Sequence, residues 1–327
     1  MSVGPFVAAI ILSFGACLAA QWLGERGNIV DEGGERRSHH GAVARTGGLA
    51  IAASTALVLT LAGLDGLGFA GPAFLGTLFL LGFLDDLLGL SAYLRLLVQL
   101  VACLALVLVL PLPDLGSLPH WLALAASVAA FVWFINLYNF MDGINGLAGT
   151  EFVFLVIAAL LLAPDMAGQA YGLLAAVMAC VVAGFLLLNL RGRLFLGDGG
   201  SYLLAAMLVL LTGWTVATGL LRPGTWLILA ALFIADASDT LIRRALAGET
   251  LTRPHRWHTY QRLADAFGRH WPVTCVAAAI NTLVLLPLAA FHEAMENLGP
   301  LLVAAVYALL IAGMWWTRRL SVRAARG

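Results

Sequence analysis

The sequence predicts an all-α, polytopic integral-membrane protein, and three observations carry that prediction. Of 327 residues, 61 % are hydrophobic and only 11 % charged, whereas a soluble domain keeps roughly a quarter of its residues charged. Eleven apolar stretches approach the length of about 20 residues that crosses a bilayer as a helix. The arginines gather in alternate connections between those stretches, as expected of a multi-spanning chain obeying the positive-inside rule. The net charge of zero points to no bulk electrostatic partner, and nucleic acid is not expected.

The stretches run over residues 3–23, 47–64, 69–84, 94–112, 120–140, 148–164, 170–190, 201–221, 225–242, 271–291 and 300–317. The third and sixth are short, and the boundary between the second and third is soft, so 10 or 11 helices are expected. The first stretch lacks a basic n-region and a small-residue cleavage site, which argues for a retained helix over a signal peptide. No heptad, low-complexity tract or soluble domain interrupts the chain, so residues 1–327 are expected to form one membrane unit. Cys17, Cys103, Cys180 and Cys275 each lie inside an apolar run without metal spacing, and read as small hydrophobes.

Arg26, Arg36, Arg37 and Arg45 follow the first stretch, Arg95 the third, and Arg191 and Arg193 the seventh. Arg243, Arg244, Arg253, Arg256, Arg262 and Arg269 follow the ninth, and Arg318, Arg319, Arg323 and Arg326 the last. With eleven spans and the N-terminus outside, all of these face the cytoplasm together with the C-terminus, and only Arg222 lies opposite. The polar clusters fall on that same expected face.

The run "GFLDDLLGLSAYLRLLVQ" ends a hydrophobic stretch with Asp85 and Asp86, and Arg95 follows ten residues later. Paired carboxylates there hold a metal or share protons, or simply solvate a helix end. "NLYNFMDGINGLAG" spaces Asn136, Asn139, Asp142 and Asn145 three apart, one face of a helix running into a glycine-rich turn. Such oxygen donors suit Mg²⁺ better than zinc, the alternative being a buried hydrogen-bonded cluster. "RLFLGDGGSYLLA" sets Asp198 before a Gly-Gly-Ser helix start, where backbone N–H groups favour an anion and the carboxylate a cation. An ordinary N-cap aspartate is the competing reading.

"RRALAGETLTRPHRWHTYQRL" carries Arg253, His255, Arg256 and His258 around Pro254; at this density they clamp phosphates or form a positive-inside flank. "RRSHHGAVARTGGLAI" adds Ser38, His39, His40 and Arg45 before Gly47 and Gly48, a weak signal alone. Asp236 and Asp239 in "LFIADASDTLIRR" lie inside an apolar stretch, with functional and structural roles both open. Oxygen donors for a hard cation and basic phosphate clamps at one membrane surface suggest transfer of a phosphorylated group from a soluble donor to a lipid acceptor. A transporter is the rival class, but it predicts midplane charges and an internal repeat. An intramembrane aspartyl protease would need a second aspartate paired within an adjacent helix.

Taken in order, the DD, NxxNxxDGxNG, FLGD and HRWH motifs are similar to those of the polyprenyl-phosphate N-acetylhexosamine-1-phosphate transferases, glycosyltransferase family 4. The resemblance runs from about Arg36 to Arg262 and is nearer the branch that starts O-antigen and capsule repeats than the peptidoglycan translocase. It implies an enzyme of the inner membrane that moves a sugar 1-phosphate from a UDP-N-acetylaminosugar to undecaprenyl phosphate, requires Mg²⁺ (with Mn²⁺ as the alternative), and forms a homodimer. Carried onto this sequence, it implies that Asp85 activates the lipid phosphate with Asp86 in support. Asp198 and the Asn139 amide oxygen are then the metal ligands, with Asp142 beside them. Arg95, Arg45, Arg253, His255, Arg256 and His258 contact diphosphate or sugar, Phe195 stacks on the uracil, and Asn145 faces the base. Two departures stand out: Ala42 and Ala44 replace prolines frequent in the first loop, and Asn145 replaces an aspartate common in bacterial relatives.

Overall fold

The computed structural model describes residues 4–27, 29–32, 42–62, 68–110, 119–250, 256–295 and 298–324. Ser38, His39, His40, Arg253 and His255 lie outside these residues. In their described residues, the eleven apolar stretches are predominantly helical. The helices are α1 (Gly4–Arg26), α2 (Gly47–Ala62), α3 (Ala70–Leu88), α4 (Ala92–Val109), α5 (His120–Phe140), α6 (Leu147–Leu162) and α7 (Ala170–Asn189). They continue as α8 (Gly197–Ala217), α9 (Pro223–Leu229), α10 (Ala231–Leu246), α11 (Thr259–Phe267), α12 (Trp271–Ile280), α13 (Leu286–Ala294) and α14 (Gly299–Ala324). Among the described residues, eight helices are long and apolar enough to cross a membrane, α12 and α13 counting as one through the π turn Asn281–Leu285. A ninth span results if α9 and α10 are taken together, and Gly47–Leu61 and Leu147–Leu162 are shorter apolar helices.

Two features depart from the sequence expectation. The stretch at 225–242 is not one straight helix: α9 and α10 meet at 76°. No proline or glycine lies at that break, so its cause is tertiary. At one end of the bent pair, Arg222 N and Thr225 Oγ1 both donate to Glu293 Oε1. Trp226 Nε1 holds α9 to Thr215 on α8 at 2.9 Å. At the other end Asp236 accepts from Thr259 N (2.8 Å) and Tyr260 N (3.0 Å), so an α10 carboxylate caps the start of α11. Asp239 is held by Arg318 and by Trp315 Nε1 at 3.1 Å, tying α10 to α14. Both aspartates are therefore structural. The second departure is a small antiparallel hairpin, β1 (Val30–Glu32) with β2 (Ala42–Ala44), in an otherwise all-α chain.

Helix α8 is the axis of the bundle, with 72 % of its apolar window buried against 22 % for α4 and 17 % for α14. It packs against α2, α3, α5, α6, α7 and α9. Glycines set the approach of its first turn: a Cβ on Gly48 (α2) would overlap the Gly200 backbone, and one on Gly82 (α3) the Asp198 carbonyl. Small residues are what allow helices without a hydrophobic driving force between them to come this close. The start of α8 is thereby seated between α2 and α3. All four cysteines are free, as their positions in apolar runs suggest.

Candidate functional site

The polar motifs meet at one end of the bundle, where α3 and α5 finish and α8 begins. At the end of α3, Gly89 turns the chain with φ +63 and Ser91 caps α4, its Oγ accepting from Leu94 N. This tight turn returns Arg95 to Asp85. The Asp85 carboxylate accepts from Arg95 Nη1 on one oxygen and from Leu90 N (2.8 Å) on the other. The two residues expected to reach separate phosphates are thus paired with each other.

Asp86, the next residue, points the other way. Its Oδ2 accepts from Gly199 N at 3.0 Å, so it supplies the anion at the start of α8. The anion favoured at this helix start is met, at Gly199 N, by a carboxylate from the neighbouring α3. Asp198 is not an N-cap either; it lies within the first turn. Asp86 Oδ1 is buried without a hydrogen bond, with Arg45 Nη1 at 3.8 Å.

Asn139, on the last turn of α5, donates Nδ2 to Asp198 Oδ1 (2.9 Å) and to Ser201 Oγ (2.8 Å). Its amide oxygen is then the atom left for a cation. Asp142 follows in the turn after α5, its N–H on the Asn139 carbonyl at 3.2 Å. Burial, followed by the Asp198 charge, pushes the Asp142 carboxyl well above the usual carboxylate range, with Arg45 opposing and Asp86 adding. Three carboxylates and one guanidinium therefore share a field at this end of the bundle.

The rest of the polar turn is locked by residues that the motif reading did not single out. Asn145 N donates to His270 Nδ1 (3.2 Å), and Thr274 Oγ1 donates to the Asn145 carbonyl (3.0 Å). Asn189 accepts from Gly146 N (2.7 Å) and donates to Leu194 O (2.9 Å), joining this turn to the loop before α8. A polar residue ending the apolar run 170–190 was the available signal for Asn189. Phe195, in that loop, is fixed by its backbone to Ala44 O (2.8 Å) and Gly47 N (3.0 Å). The Gly47–Gly48 motif thus serves close backbone packing.

Of the basic loop, Arg256 and His258 lie among the described residues. Arg256 pairs with the exposed Asp265. His258 is 2 % exposed, its ring stacked on Tyr260 at 5.6 Å and tilted against Phe140 at 6.4 Å. Burial, followed by the charges of Arg244, Arg318 and Arg243, pushes its pKa down to about 4. The folded state thus favours the neutral ring. Stability from this group is complete above the unfolded value near 6.5 and falls as the pH drops toward about 4. The full loss is on the order of 3 kcal/mol. Thermal unfolding followed from pH 7 to 4 is expected to show a shallower loss in His258→Phe than in the unsubstituted protein; parallel curves would refute the burial argument.

The donor set here fits a hard cation: carboxylate and amide oxygens with an orphaned buried oxygen on Asp86. Among the described residues, no three of His, Cys, Asp or Glu group tightly enough to cage a metal by themselves. A cavity of about 350 Å³ opens between α4, α5, α8, α9 and α10. Its lining is apolar almost throughout, with Leu110, Phe131, Phe134, Leu137, Gly213 and Trp226 among its walls.

Residues 69–215 match glycosyl transferase family 4, a stretch that carries Asp85, Asp86, Arg95, Asn139, Asp142, Asn145, Phe195 and Asp198. The chain is 30 % identical over 232 residues to a decaprenyl-phosphate N-acetylglucosaminephosphotransferase of Mycolicibacterium smegmatis, covering 60 % of this chain and 56 % of that one. It is 26 % identical over 279 residues to a probable undecaprenyl-phosphate N-acetylglucosaminyl 1-phosphate transferase of Bacillus subtilis, covering 81 % and 74 %. It is 27 % identical over 261 residues to an undecaprenyl-phosphate alpha-N-acetylglucosaminyl 1-phosphate transferase of Salmonella typhimurium, covering 73 % and 70 %. The chain thus spans little more than half the length of the mycobacterial relative and about three quarters of the other two.

Proposed function

We propose that this chain, matching glycosyl transferase family 4 where its polar site is built, moves an N-acetylaminosugar 1-phosphate from a UDP-sugar to undecaprenyl phosphate. The products are UMP and an undecaprenyl-diphosphate-linked sugar, a first membrane step of envelope polysaccharide synthesis. The observation that carries this reading is the convergence of Asp85–Arg95, Asp86–Arg45 and Asn139–Asp198 at one end of the bundle. An apolar cavity between the helices, suited to a lipid tail, supports it. The arginine distribution supports a cytoplasmic site with the N-terminus outside.

In the reaction, an oxygen of the lipid phosphate attacks the sugar-bearing phosphorus of the donor. The bond from that phosphorus to the bridging oxygen breaks, and UMP leaves with the electron pair. Both partners are anions, so the barrier is lowered mainly by charge neutralisation and alignment. Asp198 and the Asn139 amide oxygen would hold Mg²⁺, which supplies positive charge to the diphosphate when bound. Arg95 exchanges its Asp85 partner for a phosphate, leaving Asp85 free to accept a proton from the acceptor. Arg45 offers a second guanidinium beside Asp86 and Asp142. The lipid phosphate is itself a competent nucleophile, so direct displacement is favoured over an aspartyl intermediate.

The broken α9–α10 pair is a feature that transporters use at their binding sites, but here it borders an apolar cavity and carries its aspartates in structural ties. The two classes separate in one assay. Purified protein with undecaprenyl phosphate, Mg²⁺ and a panel of UDP-N-acetylaminosugars is expected to release UMP with at least one sugar. Folded protein that releases none from any of them would sink the transferase reading.

A further inference from the structure

Asn136 is the one member of the three-spaced polar series that the proposed chemistry leaves unused, and its partner is unusual. Helix α4 is an outer helix whose Leu97 and Val101 are 57 % and 60 % exposed. Between Ala92 and Val109 it carries only two charged or amide side chains, Arg95 and Gln99. They sit four apart, so they share one stripe of the helix. Arg95 reaches Asp85 on α3, and Gln99 is fully buried and accepts from Asn136 Nδ2 of α5 at 2.7 Å. The second Asn136 amide hydrogen goes to Val132 O at 2.8 Å, so the amide is fixed on its own helix. Asn136 in turn lies one turn from Asn139, which holds Asp198.

We propose that Gln99 and Asn136 are positioning residues that lock the rotation of α4, so that Arg95 can leave Asp85 for a substrate phosphate without α4 turning toward lipid. This rests on the transferase reading for its functional part. The physical argument is one of counting ties. Arg95 and Gln99 are the polar anchors of α4, on one stripe. When Arg95 transfers to a phosphate, Gln99, tied to Asn136 of α5 and to Tyr202 of α8, remains to set where the guanidinium lies. Apolar packing alone fixes the rotation of a leucine-rich outer helix poorly, because lipid is as good a neighbour as protein. A small misplacement of a positioning cation carries a large kinetic cost.

The test is a kinetic split. Gln99→Met and Asn136→Leu are each expected to raise the KM for the UDP-sugar, whose diphosphate Arg95 is read to contact, about tenfold while leaving the KM for undecaprenyl phosphate unchanged. The double variant should be no worse than either single, and Gln99→Glu, which keeps the accepting oxygen, should restore most of the loss. Unchanged KM for the UDP-sugar, or equal rises for both substrates with a lowered thermal midpoint, would overturn the proposal. If the unsubstituted protein turns over no UDP-sugar, the transferase reading fails first. The pair is then judged by thermal midpoints of the two single variants and the double. Coupled shifts uphold the α4–α5 lock, and additive shifts overturn it.

Discussion

Asp198→Ala is expected to lose about three orders of magnitude in UMP release while remaining folded, and Asp142→Asn nearly as much. The fold should survive because Asp198 makes few structural commitments. It accepts from Asn139 Nδ2, and that amide retains a second partner, Ser201 Oγ at 2.8 Å, when the carboxylate is removed. The start of α8 is capped by Asp86 through Gly199 N, not by Asp198. Removing the carboxylate therefore subtracts charge from the site and little from the helix. Asp142→Asn keeps size and shape while removing the ionisable carboxyl, which isolates its acid–base and electrostatic role. Initial rates of UMP release, with thermal midpoints measured alongside, decide the matter. Retention of more than a tenth of the activity in Asp198→Ala would remove Asp198 from the proposed metal site.

The second large effect concerns folding. Gly82→Val is expected to prevent recovery of monodisperse protein, because even a Cβ there would overlap the Asp198 carbonyl and stand 2.7 Å from Gly199 N. These are backbone atoms at the seated end of α8, so no rotamer change relieves the clash, and the cost exceeds about 3 kcal/mol. Gly76 on the same helix supplies the comparison. A Cβ at Gly76 meets nothing within 4 Å, and Gly76→Ala should be neutral or stabilising by up to about 1 kcal/mol. Size-exclusion profiles and melting of the two variants in detergent test the contrast. Equal stability of Gly82→Ala and Gly76→Ala would show that α3 and α8 do not depend on this approach.

The site was readable from the chain as a set of residues, less so as a set of partners. Asp85, Asp86, Asn139, Asp142 and Asp198 stood out because a polar group beside an apolar span is costly without a task, and the fold brings them together. What each one touches was not legible. Asp85 and Arg95 are matched by a turn whose geometry depends on Gly89 at positive φ. His258 was read from its arginine-rich context as facing phosphate, and its burial in a stack on Tyr260 was not visible there. Gln99 and Asn189 gave only the faint signal of a lone amide in an apolar run, and both turned out to join helices.

Hydropathy is a property of each segment by itself, so the chain alone determined that eleven stretches are helices. It also determined which of their ends carry polar chemistry. Contacts between segments belong to no single stretch, and those only the tertiary structure decided. The α9–α10 break has no proline or glycine and arises from ties to Glu293, Thr215 and the start of α11. The assignment of Asp86 to the start of α8 and of Asp198 to Asn139 depends on which helix arrives beside which. That arrival is set by glycines that permit close approach and by buried polar groups that must find partners, neither of which is visible along one segment.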